Sequence, residues 1–125
     1  DHHEDDDEQD VGQRVHDVQV EVLDAAVGRA AVMAAGGMFS SLNIAKALAL
    51  GADAVGFAGH PLYLLLKQGR RALVRAIQRL EQELRLIMML TGSSTLEELR
   101  RVPLVITGFT GEWMKQREIS VAKYR

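Results

Sequence analysis

Residues 29–60 read RAAVMAAGGMFSSLNIAKALALGADAVGFAGH, and the order of apolar runs and glycines in that stretch decides the fold class. Arg29 to Ala35 is small and almost continuously apolar before Gly36-Gly37. Such a run suits a strand buried on both faces of a parallel sheet, although periodicity alone leaves a helix open. Ser40 or Ser41 then offers an N-cap for a helix from Leu42 to Leu50, with Gly51 as the left-handed stop. Ala52 to Ala58 supplies a second short strand, followed by Gly59-His60-Pro61. Strand, glycine loop and helix, repeated, mark an α/β protein with a parallel sheet.

Both glycine turns, Gly36 to Ser40 and Gly56 to His60, fall at the carboxyl ends of the expected strands. Glycine lets the backbone approach a ligand, and the free N–H groups of the helix that follows present the positive end of its dipole. That is what holding a phosphate requires. A single Gly-Gly is a weak signal, since tight turns explain most such pairs; two in adjacent units are a stronger one. In (β/α)8 barrels a phosphate commonly sits after strands 7 and 8, and such a barrel needs about 250 residues. The chain has 125. The expectation is therefore a small open fold or a part of something larger.

On the amino side, Val18, Val22 and Ala25 or Ala26 recur at helical spacing, and Gly28 stands where that helix stops. On the carboxyl side, Leu73, Ala76, Ile77, Leu80, Leu84, Ile87 and Met88 share one face of a long helix that Gly69 divides and Gly92 closes. Ser94-Thr95-Leu96-Glu97 reads as a capping box with Ser94 as the cap, opening a short helix that Pro103 ends. Leu104 to Thr107 is a short strand or an extended segment, and Glu112 to Glu118 a final helical turn or two.

Composition bounds what these elements can do. With 47% hydrophobic and 26% charged residues, the chain matches one ordinary globular domain. No apolar run approaches the ~20 residues of a membrane span, and no secretory signal opens the chain. The absence of cysteine excludes disulfides, thiolate nucleophiles and cysteine metal sites, and fits a cytoplasmic location. Seven of the 17 acids lie within residues 1–10, leaving ten against 15 Lys and Arg in the remainder. Residues 1–10 thus read as an acidic, solvated arm and 11–125 as the folded domain, with 93–125 as its tail. The arm lacks the spacing and turn glycine of an EF-hand loop.

Other conspicuous residues have plain structural readings. Arg71, Arg75 and Arg79 stack at helical spacing, but no aromatic platform interleaves them, so a solvated face is expected and no nucleic-acid partner. His60 could help hold a phosphate, while packing at a helix start is the commoner role of such a histidine. The five methionines form no cofactor box, and Trp113 anchors the tail by packing.

Gly36-Gly37, followed by Asn43-Ile-Ala-Lys46 and Leu50-Gly-Ala-Asp53-Ala-Val-Gly56, resembles the phosphate-binding end of the FMN-dependent oxidoreductase-like barrels, the 2-hydroxy acid oxidases included. Ala58-Gly59-His60, Glu83-Leu-Arg85-Leu-Ile-Met88, Leu90-Thr-Gly92, Leu96-Glu-Glu-Leu99, Pro103-Leu-Val-Ile-Thr-Gly108 and Glu112-Trp113 resemble the carboxyl end of type 2 isopentenyl diphosphate isomerase. The likeness covers roughly Asp10 to Arg125, about the last third of a family member. It implies the carboxyl-terminal part of a (β/α)8 TIM barrel: the last two β/α units and closing helices.

By that resemblance, the complete enzyme interconverts isopentenyl and dimethylallyl diphosphate in isoprenoid biosynthesis. It uses reduced FMN with Mg2+, and NADPH as a further cofactor, and assembles as a homo-oligomer. Gly36, Gly37, Met38 and Phe39 match the loop that cradles the FMN phosphate, and Ala58 and Gly59 its second half. Phe39 stands where the family usually carries Arg or another polar residue, and Val15 where it carries a flavin-contacting Thr. The substrate diphosphate site, the Mg2+ carboxylate and the lysine near the flavin have no counterpart, so the resemblance implies a chain without catalysis on its own. Two alternatives stand beside it: a piece of a 2-hydroxy acid oxidoreductase-like barrel, and a non-catalytic remnant serving as an interaction module.

Overall fold

A computed structural model describes residues 17–26 and 28–124. Helix α1 occupies residues 17–26. There follow β1 (Met33–Ala35), α2 (Ser41–Ala49), β2 (Ala54–Gly56), α3 (Gly59–Leu90), α4 (Leu96–Leu99), α5 (Gly108–Gln116) and a 3-10 turn, Val121–Tyr124. The expected acidic arm and Val15 lie outside the described residues.

β1 and β2 pair in parallel, with Met33 opposite Ala54, Ala34 opposite Val55 and Ala35 opposite Gly56. Asp53 fixes this register from below: its N–H donates to the Val32 carbonyl and its Oδ2 accepts from the Val32 N–H, each at 2.8 Å. The (β/α)8 barrel expectation is corrected here. Helix dominates the described residues, and their sheet consists of two strands and does not close. Each strand is also shorter than its apolar run and is not buried on both faces. Ala34 is buried, but Met33 is 67% exposed. An apolar run records that no charge is present; it does not record how many residues find a partner strand.

α2 forms where expected, and Ser40 is its cap: extended backbone (φ −137°) brings Oγ to accept from Asn43 N–H at 3.1 Å. Its alanines pack closely. Ala47 joins Ala34, Met38 and Ala52 in one apolar cluster, while Ile44, Leu48 and Ala49 join Leu99 in a second, bordered by Leu80, Leu84 and Met88 of α3. A third cluster holds Val20 of α1, Leu50, Met114 of α5 and Ile119. Gln19 Nε2 ties α1 to α2 by donating to the Ala47 carbonyl at 2.7 Å.

α3 kinks at Gly69, whose φ of 80° and ψ of 174° are open only to glycine. Past the kink, Glu83 accepts from Ser41 Oγ and from Arg79 Nε, both at 2.8 Å, pinning α3 to the start of α2. No described helix is long and apolar enough to cross a membrane. Two further boundaries differ from expectation. Thr95, not Ser94, caps α4, accepting from Glu98 N–H at 3.1 Å while Glu98 accepts from Ser94 N–H. α5 starts at Gly108, four residues early, because Thr107 is extended (φ −130°) and Gly108 turns left-handed at φ 62°.

Candidate functional site

The parallel register sets the two glycine loops side by side. Ala35 and Gly56 are partners and each ends its strand, so residues 36–40 and 57–58 leave the sheet together, one toward α2 and one toward α3. Gly36 (φ 99°) and Gly37 (φ 62°) are both left-handed, a consecutive pair that side-chain-bearing residues seldom tolerate.

Met38 is fully buried with Ala34, Ala47 and Ala52, and so nails the loop to the core by its side chain. That leaves its backbone as the part able to face a ligand. Ala58 and Gly59 are exposed at the start of α3, and a Cβ added to Gly59 would meet no atom within 4 Å. Pro61 lies in the first turn of α3, where a missing N–H removes no helix bond. Helical bonding begins with Leu62 N–H to the Ala58 carbonyl in α3 and with Ile44 N–H to the Ser40 carbonyl in α2. The amides ahead of those bonds, Gly59 and His60 in one helix and Ser41 and Leu42 in the other, have no partner within the helix.

Phe39 joins the loops physically. Its ring stacks on His60 with centroids 4.4 Å apart and planes 25° apart, and meets Phe57 edge-on at 5.3 Å. Tyr63 lies beyond His60 at 6.3 Å. A chain with three phenylalanines and two tyrosines concentrates three of those five rings here. The roles of Phe57 and Tyr63 escaped the sequence reading, although Phe57 lies inside the second glycine turn and Tyr63 one helical turn past it. No ion pair of the described residues involves either loop. Nor do the described residues include a group of three or more His, Asp or Glu able to hold a metal ion.

Residues 9–105 match the family described as FMN-dependent dehydrogenase. The chain is also similar to isopentenyl-diphosphate delta-isomerases. It is 46% identical to that of Geobacillus sp. (strain WCH70) over 93 residues, 74% of this chain and 27% of that protein. To that of Moorella thermoacetica it is 47% identical over 87 residues, 70% of this chain and 25% of the relative. The Pyrococcus abyssi protein is 44% identical over 86 residues, 69% and 23% of the two chains. The chain thus spans about a quarter of the length of these relatives.

Proposed function

This chain belongs to the FMN-dependent dehydrogenase family, and from that premise we propose that its two glycine loops hold the phosphate of FMN. Gly36, Gly37, Met38 and Phe39 form one half of the cradle through their backbone, and Ala58 and Gly59 the other. The observation that carries this reading is the register of β1 and β2, which opens both loops and two helix starts toward one place. Helix starts converging on one point supply N–H donors and positive dipole ends together, which suits a dianionic phosphate.

The activity proposed for the complete enzyme is the interconversion of isopentenyl and dimethylallyl diphosphate, supported by the names of the similar proteins. Reduced FMN would supply acid/base chemistry there. This chain's part is to bind and orient the cofactor by its phosphate, with Met38 anchoring the loop. The described residues supply no cluster of three or more His, Asp or Glu for the Mg2+ that such an enzyme would use. A 2-hydroxy acid oxidoreductase is the second reading, favoured by the dehydrogenase description of the family; reduction of the flavin by a hydroxy acid separates the two.

The test is titration of FMN into the purified chain, followed by flavin fluorescence, with riboflavin as the phosphate-free control. FMN is expected to bind at least about tenfold more tightly than riboflavin, the worth of a few charge-assisted hydrogen bonds. Equal affinity for the two would remove the phosphate cradle.

A further inference from the structure

Charge is divided unevenly along the chain. Residues 59–80, the amino-terminal part of α3, carry Lys67, Arg70, Arg71, Arg75 and Arg79 without one Asp or Glu. Residues 1–10 carry seven acids and no Lys or Arg, with five acids in succession from Glu4 to Glu8. Outside these two stretches, ten Lys and Arg face ten Asp and Glu. The charge imbalance of the molecule therefore lies wholly in two patches of opposite sign.

The fold leaves the positive patch open. Lys67, Arg70, Arg71 and Arg75 are exposed and have no ion pair among the described residues. Arg79 gives its Nε to Glu83, yet its side chain stays 81% exposed. Leu80, Leu84 and Met88 turn one face of α3 toward the α2 cluster. At about 100° per residue, Arg71 and Arg75 fall on the opposite face. Like charges at four-residue steps repel one another along a helix, so this stripe weakens α3 unless counter-charge comes from elsewhere.

We propose that the stripe is the docking surface for residues 1–10 of a second copy of the chain, exchanged reciprocally between two copies. The lengths agree: Arg70 to Arg79 covers ~14 Å of helix axis, and five extended residues cover about the same distance. Guanidinium forks match carboxylates two oxygens at a time, and a row of such pairs is worth more than one isolated surface pair. A second copy is favoured over the same chain by the placement of α1, through which residues 1–10 enter the fold. α1 and α3 contribute to different apolar clusters, and the stripe faces away from α2 on the far side of α3. Reciprocal exchange is also self-complementary, as a two-fold interface requires. The contact uses no residue of the glycine loops and stands apart from the flavin reading.

Sedimentation equilibrium of the full chain at about 50 mM and about 500 mM NaCl tests this, because salt screens exposed ion pairs but does not weaken apolar contact. Two variants accompany the wild type: one with Asp5→Asn, Asp6→Asn and Asp7→Asn, the other with Arg71→Glu and Arg75→Glu. The expected result is a dimer whose dissociation constant rises about tenfold in high salt and about tenfold in each variant at low salt. An equimolar mixture of the two variants should recover part of the loss, since the intact stripe of one can accept the intact acidic stretch of the other. A dissociation constant indifferent to salt and to both variants would overturn the proposal, leaving apolar contact to hold the copies together. A mixture no tighter than either variant would equally overturn it, placing the contact within one chain or with another acidic partner. A chain that is monomeric at low salt would do the same. Should the Glu variant lose helix content by circular dichroism, Arg71→Gln with Arg75→Gln takes its place.

Discussion

Phe39 shows how one side chain can set the contacts of a loop whose backbone path is fixed by its neighbours. The turn that carries it is set by Gly36 and Gly37, and Met38 anchors it from below, so the loop keeps its path whatever occupies position 39. The ring instead contributes stacking on His60 and an edge contact with Phe57. Phe39→Arg exchanges those contacts for a guanidinium able to donate to phosphate. It is expected to strengthen FMN binding by about tenfold while leaving riboflavin nearly unchanged. Paired titrations of the two flavins measure this, and an equal change for both would mean that packing alone had been altered. At the other end of the chain, Thr95 rather than Ser94 caps α4 because Thr95 is the residue in the extended region, with φ −131° and ψ 163°. Two adjacent hydroxyls followed by two adjacent glutamates make both registers legible in the sequence, and only the backbone angle chooses. Thr95→Ala should cost about 1 kcal/mol in urea unfolding, whereas Ser94→Ala, which keeps its backbone N–H for Glu98, should cost a few tenths.

Elements with a strong local cause were the most legible. α2 has a cap, a run of helix-forming residues and a terminal glycine at φ 114°, and it stands within a residue of its expected span. The kink of α3 was legible for the same reason, since Gly69 interrupts an otherwise continuous pattern. The strands were less so, because pairing is a property of two segments and apolarity a property of one. What joins elements was not legible at all. Ser41, read as a possible cap, instead gives its hydroxyl to Glu83, 42 positions away. The Arg79 and Ser41 hydrogen bonds hold the Glu83 carboxyl below its usual range. A carboxyl whose pKa is lowered on folding stabilises the fold above the unfolded value of 4.5, and that contribution disappears as pH falls through the folded value. Glu83→Gln should therefore be less stable than the wild type at about pH 6, with the gap closing toward about pH 3. Because Glu83 and Arg79 are substantially exposed, the gap is small and shrinks in high salt. Urea midpoints across that range test it; a gap that stays constant with pH would assign the loss to packing.

For the molecule as a whole, the expected barrel failed where local reading has least power. Loops, caps and helix faces are written over five to ten residues, while the number of strands in a sheet and what covers their faces depend on the entire chain. The two strands form, and the described residues bring no layer over one side of them: Met33, which opens β1, is 67% exposed. α3 repeats the situation on a larger scale. Of its 32 residues only Leu64 is buried, while Leu66 and Leu90 are 74% and 75% exposed. Leu62, Leu65 and Leu66 share the helix start with Tyr63, and Leu86, Met89 and Leu90 repeat the pattern at its end, all exposed. Single exposed leucines are ordinary on a protein surface, but clusters of them mark surfaces that other protein covers. The isolated chain should accordingly self-associate, its weight-average mass in sedimentation equilibrium rising between about 1 and 100 μM. Leu66→Lys and Met89→Lys change only exposed positions and so should lower that mass without altering helix content by circular dichroism. A chain that stays monomeric across the range would show that these leucines are tolerated singly, and the expectation of a homo-oligomer would lose its physical basis.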